Sequence, residues 1–394
     1  MKITKIEVLK VKTVRPTWRP VFCRIHTDEG IYGDGEAALA YGRAADAGYA
    51  ALKEFSGLIL QMDPLKNEVI WEKLYKTTFW GQNGGPVVFA AIGAIDMALW
   101  DLKGKYFRAP IHQLLGGARR ERLRTYASQL QNGWEMGKDG YVFQYAPEDF
   151  AAAAQRAVAE GYDAVKFDFF EKSPDRRDYG AEDRSCFVNP RELAVLEERV
   201  AAVRQAVGPQ VDIIAEAHSR MDAPGAIRYA KILEKYSAMF FEEPDTPTPY
   251  MTKYIADKVN IPLASGERVY GRWQFVPYFE DRSLQIIQPD LGNCGGFTEV
   301  KKICDMAHAY DVAVQPHICA SPLSTTAALH LEAVLPNFVI HEHHIVNRVA
   351  YNMGLTTAEE QPEGGFFRVP NAPGLGNEIS PQAFKQADAY AVAE

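Results

Sequence analysis

Residues 211–267 read VDIIAEAHSRMDAPGAIRYAKILEKYSAMFFEEPDTPTPYMTKYIADKVNIPLASGE. Three apolar runs in this stretch end on a glutamate: Val211-Asp-Ile-Ile-Ala before Glu216, Met239-Phe-Phe before Glu242, and Pro262-Leu-Ala-Ser-Gly before Glu267. The beat continues beyond it. Asp290 follows Leu284-Gln-Ile-Ile-Gln-Pro, His317 follows Val312-Ala-Val-Gln-Pro, and Glu342 follows Phe338-Val-Ile-His. Successive gaps from Glu216 to Glu342 are 26, 25, 23, 27 and 25 residues, the length of one strand, one helix and two loops. In a closed (β/α) barrel every strand delivers its C-terminal end to one face, so these six polar residues converge.

The same alternation predicts barrel strands starting at Leu123, Ala164, Val211, Ala238, Pro262, Leu284, Val312 and Phe338. Helical stretches between them include Pro147–Glu160, Pro190–Val207 and Gly296–Tyr310, and only seven helices fit among the eight strands. Residues 1–120 do not follow the beat. Ile3, Ile6, Val8 and Val11, then Val21, Cys23 and Ile25, predict two or three antiparallel strands, followed by helices at 44–62, 65–77 and 86–104. Gly116-Gly117 then punctuates, and from about Ile345 a Gly- and Pro-rich tail reads as a return to the first domain. The expected organisation is an α+β domain at 1–120, a barrel at 121–345 and a returning segment at 346–394.

Two βα connections, Gln131–Ala146 and Phe169–Asn189, exceed the usual two to six residues. Both leave the catalytic face, where they either cover a substrate or form a solvated or oligomer-contact surface.

A chain of 394 residues suits a large barrel plus a second domain. A net charge of −8 without a long basic run argues against nucleic acid as a partner. No apolar stretch is expected to reach the roughly 18 residues of a membrane span, so no membrane partner is expected either. Met1-Lys-Ile-Thr-Lys-Ile-Glu-Val alternates like a strand and lacks a signal-peptide core. Cys23, Cys186, Cys294, Cys304 and Cys319 are odd in number and scattered, as expected of reduced thiols in a cytoplasmic protein. A homo-oligomer is expected.

Glu216, Glu242 and Glu267 offer oxygen ligands from three consecutive strand ends. That suits a hard cation such as Mg²⁺, which keeps positions for water or substrate. A lone Glu after a strand is usually a cap, but three in series favour the metal. Asp290 and His317 end adjacent strands. A carboxylate accepting from one imidazole nitrogen leaves the other free as a base. His218 lies two residues after Glu216, where strand alternation would turn it toward the same centre; the alternative is a hydrogen-bonded loop histidine. Glu342 reads either as a neutral acid donating to a substrate oxygen or as a capped structural residue. Lys166 and Asp168 end the second strand: Lys166 would neutralise an anionic substrate, with Asp168 its possible partner.

The chain resembles the enolase superfamily, mandelate racemase subgroup, over essentially its whole length. The resemblance rests on Ala91-Ile-Gly-Ala-Ile-Asp-Met-Ala-Leu-Trp-Asp-Leu-Lys103, Leu114-Leu-Gly-Gly117, Phe241-Glu-Glu-Pro244, Gly266-Glu-Arg268, Gln288-Pro-Asp290 with Gly295-Gly296, Pro316-His317 and Pro373-Gly-Leu-Gly376. It implies a (β/α)7β modified TIM barrel with an α+β capping domain, and Mg²⁺. Within the subgroup the pattern is similar to D-galactonate dehydratase-like sugar-acid dehydratases: Glu216-Ala-His218 with Arg220, Gly266-Glu-Arg-Val-Tyr-Gly-Arg-Trp273, and Gly364-Gly-Phe-Phe367. Two departures matter. Glu216 stands where the family has Asp, and Lys166-Phe-Asp168 replaces the racemases' Lys-x-Lys, which disfavours a two-base racemase.

The resemblance implies a Mg²⁺-dependent dehydratase acting on an aldonate such as D-galactonate or a related aldarate. His317, oriented by Asp290, would remove the C2 proton to give an enediolate. His218 would protonate the departing C3 hydroxyl, Glu342 would hydrogen-bond the substrate carboxylate, and Lys166, Asp168 and Arg220 would contact substrate. The product would be a 2-keto-3-deoxy acid. The rivals are an epimerase, racemase or cycloisomerase through the same enediolate, and a non-catalytic sugar-acid-binding paralogue that would not need the dyad. No glycine-rich phosphate loop supports a phosphate-handling barrel. Specificity is expected in the loops near Thr13–Val21 and Phe79–Gly85 and in the two long barrel loops. There Arg176, Arg177 and Arg184 either face a distal carboxylate or are solvated.

Overall fold

A computed structural model describes residues 1–135, 141–358 and 360–393. Barrel strands 1 to 8 are Arg122–Ser128, Ala164–Phe167, Asp212–Glu216, Phe240–Glu242, Leu263–Ser265, Ile286–Ile287, Ala313–Val314 and His341–His344. Each expected start falls within three residues of the observed one. Strands 1 to 7 pair in parallel in chain order, and strand 8 pairs with strand 1 from His341 opposite Thr125 to His344 opposite Ser128. Phe338 bridges Val314 in parallel and joins the ring's remaining edge. Helices Pro147–Ala159, Pro190–Val207, Ala223–Lys235, Pro249–Ala256, Arg272–Glu280, Gly296–Ala309 and Pro322–Val334 alternate with the strands, giving the (β/α)7β barrel.

The capping domain is built on antiparallel strands Ile3–Val11, Val21–Thr27 and Tyr32–Ala37 with helices Ala45–Leu58, Asn67–Thr77 and Gly85–Phe107. The tail adds Phe366–Arg368 antiparallel to barrel strand 1 and then Ala387–Ala393 antiparallel to the first capping strand. Glycines let the third capping strand lie directly on the long helix. A Cβ at Gly33 or Gly35 would meet the carbonyl oxygens of Ala98 or Ala94 at 2.0 Å. That helix corrects one expectation. Its 23 residues, with a mean hydropathy of 1.5 over the most apolar window, are long and apolar enough to cross a membrane. In the fold 72% of that window is buried, because the helix is the shared core of the capping sheet and its neighbours. Asp96 and Asp101 are buried in it but satisfied. Asp96 accepts from the Thr298 amide at 2.9 Å, and Asp101 from the amides of Asp34 and Leu375 at 2.9 and 2.8 Å.

The capping sheet is tied to the barrel by Glu36. It accepts from the Ser321 amide at 3.0 Å, the Ser321 hydroxyl at 2.6 Å and the Ser324 hydroxyl at 2.7 Å, at the start of helix Pro322–Val334. A carboxylate there meets free amides and the positive end of the helix dipole.

Inside the barrel, strand alternation sorts residues into layers. Tyr126, Ala164, Ile214, Phe240, Ala264, Ile286 and Ile340 form one apolar layer. Two residues further along each strand come Ser128, Lys166, Glu216, Glu242, Gly266, Gln288 and Glu342. Changing one layer from apolar to charged turns a core into a site.

Candidate active site at the barrel mouth

Lys166 occupies the centre of the polar layer. Its ammonium, 1% exposed, donates to Glu216 Oε2 at 3.1 Å and Glu242 Oε1 at 2.7 Å and lies 3.0 Å from Glu342 Oε1. Lys166 therefore neutralises the protein's own carboxylates, and Asp168 is not its partner. Glu216 and Glu242 are register neighbours on adjacent strands. Burial and the Glu216 charge push the Glu242 carboxyl well above the usual range. Glu342 accepts from Ser128 Oγ at 2.6 Å and the Ile318 amide at 3.0 Å. Burial would raise its carboxyl, but the Lys166 and His317 charges hold it at about 2. Glu342 is thus placed to accept from three groups, the Ser128 hydroxyl, the Ile318 amide and the Lys166 ammonium.

A second tier rises from the loops just past the strands. His317 Nδ1 lies 2.8 Å from Asp290 Oδ2, forming the expected pair. Its Nε2 lies 3.0 Å from Glu267 Oε2. Burial disfavours the imidazolium, yet the two carboxylates outweigh it and raise His317 well above its ordinary value. Glu267 is paired with His317 and Arg268 and does not join Glu216 and Glu242. The reason is positional. Glu216 and Glu242 are the last inward residues of their strands, whereas Glu267 lies two residues past Ser265, after Gly266. Gly266 has no room for a side chain, since a Cβ there would lie 2.6 Å from the Gln288 backbone.

His218 Nδ1 lies 2.9 Å from Asp168 Oδ2, a pairing that the sequence reading did not anticipate. The signal was present, because Asp168 ends the strand before His218 just as Asp290 ends the strand before His317. Strand alternation does not orient His218. The strand stops at Glu216, and His218 and Ser219 are left-handed at φ 48° and 56°. The His218 amide donates to Glu216 Oε1 at 2.8 Å and the Ser219 amide to the Glu243 carbonyl at 2.8 Å, which fixes this turn. Burial would lower His218, but Glu216 and Asp168 raise it. Arg220 reaches Asp168 at 3.5 Å.

These groups open into one cavity of about 550 Å³ between barrel and cap. Lys166, Glu216, His218, Arg220, Glu267 and His317 line it, opposite Arg15, Trp18 and Tyr41. Tyr141, Phe143 and Glu171 bring the two long barrel loops to its wall. Residues 136–140 of the first loop lie outside the described residues. Arg176, Arg177 and Arg184 do not line the cavity. Arg184 donates to the carbonyl of Phe170 at 3.0 Å, Arg177 pairs with Asp183 at 2.5 Å, and Arg176 lies 5.1 Å from the Tyr145 ring centre.

Glu216, Glu242 and Glu267 are chemically suited to a hard divalent cation. Glu242 Oε2 is buried and has no hydrogen-bond partner, an acceptor that a cation would satisfy. Among the described residues, no three His, Cys, Asp or Glu side chains are gathered closely enough to hold an ion as they stand. Glu267 would have to exchange His317 for the ion.

Family models match most of the chain: the mandelate racemase / muconate lactonizing enzyme N-terminal domain over residues 6–116 and an enolase C-terminal domain-like model over residues 149–383. The chain is 35% identical over 389 residues to D-galactonate dehydratase of Pectobacterium atrosepticum, covering 96% of this chain and 92% of the relative. It is 34% identical over 387 residues to that of Ralstonia pickettii, with the same coverage of 96% and 92%. A solved enolase-superfamily member from Salmonella Typhimurium superposes with a TM-score of 0.96 at 46% identity, covering 99% of both chains. The 3,6-anhydro-D-galactonate cycloisomerase of Zobellia galactanivorans gives a TM-score of 0.80 at 28% identity, covering 98% of this chain and 100% of that one.

Proposed function

We propose a stepwise dehydration of a sugar acid for this chain, which belongs to the mandelate racemase / muconate lactonizing enzyme family of the enolase superfamily and is a hydro-lyase. The substrate we favour is an aldonate such as D-galactonate or a related aldarate, and the product is the 2-keto-3-deoxy acid. The observation that carries this reading is the presence of two carboxylate–imidazole pairs, Asp290–His317 and Asp168–His218, in one cavity. Loss of water across C2 and C3 needs one group to take a proton and another to give one, because hydroxide leaves poorly unaided.

In this reading His317 Nε2 removes the C2 proton, and Asp290 fixes the ring and stabilises the imidazolium. His218 delivers a proton to the departing C3 hydroxyl from Nε2, with Nδ1 held by Asp168. Lys166 keeps the Glu216, Glu242 and Glu342 carboxylates compatible with an anionic substrate nearby. Glu342 orients Lys166 through its accepted contacts instead of donating to substrate, and Arg220 steadies Asp168. Members of the superfamily generally use Mg²⁺, and Glu216, Glu242 and Glu267 would hold it here. When bound, such an ion supplies Lewis-acid stabilisation of a substrate carboxylate.

The test is a panel of aldonates and aldarates incubated with protein and Mg²⁺, with 2-keto acid formation and C2 configuration both measured. Keto-acid production from at least one acid is expected. Inversion at C2 or lactone isomerisation without keto acid would replace dehydration by an epimerase or cycloisomerase reaction.

A further inference from the structure

We propose that Arg15 is a specificity residue that binds a second, distal carboxylate, so that the preferred substrate is an aldarate and not an aldonate. This rests on the sugar-acid dehydratase reading above and deepens it.

Arg15 lies on the capping side of the cavity, facing Glu216, His218 and His317 on the barrel side. Its position is built into the loop. The Thr13 hydroxyl donates to the carbonyls of Arg15 and Trp18 at 2.9 and 2.7 Å, and the Trp18 amide donates to the Arg15 carbonyl at 2.9 Å. Trp18, 2% exposed, anchors the loop to Asn352 through its indole N–H at 2.9 Å. The guanidinium sits 4.2 Å from the centre of the Tyr141 ring, half-buried. Among the described residues no carboxylate comes within ion-pair distance of it. Other arginines around the cavity are compensated: Arg268 by Glu243 and Glu267, Arg220 by Asp168.

An aromatic face stabilises a cation but supplies no formal negative charge. A preorganised, partly desolvated guanidinium without a counter-ion fits a bidentate carboxylate. The substrate's first carboxylate belongs at the barrel end, next to the proton-transfer groups, so the partner of Arg15 is a second carboxylate at the far end of the chain. Glu171 shares this wall but accepts from the Gln131 side-chain amide at 3.0 Å.

The experiment compares acids that differ only at C6: galactarate with D-galactonate, and D-glucarate with D-gluconate. For each pair, kcat/KM for keto-acid formation and the ligand-induced thermal shift are measured on wild type, Arg15→Gln and Arg15→Lys in the presence of Mg²⁺. The wild type is expected to favour an aldarate over its aldonate by at least about tenfold. Arg15→Gln is expected to shift that ratio toward the aldonate by on the order of 10²-fold, the value of a charge-assisted bidentate contact. Arg15→Lys, which keeps the charge without the fork, falls between them. A wild type that favours the aldonate, or a ratio that Arg15→Gln leaves unchanged, overturns the inference while dehydration stands. If no acid gives keto acid, the dehydratase reading fails and the thermal shifts decide this one. A larger shift with aldarates, lost in Arg15→Gln, supports it, and equal shifts overturn it.

Discussion

The two imidazoles of the cavity are supported alike on one side and differently on the other. Each has its Nδ1 against an aspartate from the preceding strand, at 2.8 Å for His317 and 2.9 Å for His218. Beyond that they diverge. His317 has a second carboxylate, Glu267, 3.0 Å from Nε2, a contact that Glu267 would give up to join a metal. His218 Nε2 meets the Gln129 side chain at 3.4 Å and is 3.9 Å from Glu216, while its Asp168 is shared with Arg220. A proton on His218 is therefore less strongly held by its partner. His317 sits on ordinary backbone, whereas His218 is left-handed and must be held there by its neighbours. Identical side chains in similar pairs thus differ in what faces Nε2, and the proposed division, His317 taking a proton and His218 giving one, assigns them opposite tasks.

The broadest challenge acts on both pairs together. Removing divalent cations with EDTA is expected to abolish keto-acid formation, and Mg²⁺ to restore it. Glu242→Gln is expected to lose both turnover and bound metal measured by elemental analysis. Full turnover in a metal-stripped sample would sink the metal reading.

The next test separates the pairs. His317→Asn is expected to lose both dehydration and exchange of the C2 hydrogen with D₂O, followed by proton NMR. His218→Asn is expected to lose dehydration while C2 exchange continues. Each loss is of the ~10²–10⁴-fold size typical of a positioned acid or base. If His317→Asn exchanges normally and His218→Asn does not, the tasks are reversed. Smaller effects are expected from the aspartates, about 10- to 100-fold, as for partners that orient an imidazole. Asp290→Asn would slow exchange and dehydration together, and Asp168→Asn would slow dehydration alone. An equal loss of both activities in all four variants would erase the distinction.

How much of this was legible follows from what each feature depends on. The barrel could be read because apolar runs such as Val211–Ala215 and Leu284–Ile287 recur at a constant interval, and chain order then fixes which ends are neighbours. The Asp290–His317 pair came from the same logic. Asp168–His218 was equally available, but the nearer Lys166 drew the aspartate's attribution away. Lys166 itself could not be placed, because its three carboxylate partners lie 50, 76 and 176 residues away in sequence. Glu267 looked equivalent to Glu216 and Glu242 in spacing, yet two residues of overhang past the strand end changed its direction. Arg15 was hidden in a loop whose contacts are with the far end of the chain, at Asn352 and across the cavity.

The smallest expected effect tests whether the two pairs are supported independently. Ser219 holds the left-handed turn of His218. Its amide donates to the Glu243 carbonyl at 2.8 Å, and its hydroxyl donates to the Glu243 carboxylate. The same carboxylate accepts from Ser265 at 2.5 Å, the Gly266 amide at 3.2 Å and Arg268 at 2.9 Å. Arg268 in turn touches Glu267, the partner of His317. A chain of contacts therefore runs from one imidazole to the other. Ser219→Ala removes one hydroxyl donor and leaves Glu243 three others, so the carboxylate stays anchored. Dehydration is expected to fall by less than about tenfold, below the full value of one hydrogen bond to a charged group because three donors remain on Glu243. The C2 exchange rate is expected to match the wild type, because the Arg268–Glu267–His317 side keeps all its contacts. Equal slowing of exchange and dehydration in Ser219→Ala would mean that Glu243 couples the two pairs into a single unit, and the division of labour between His317 and His218 would have to be abandoned.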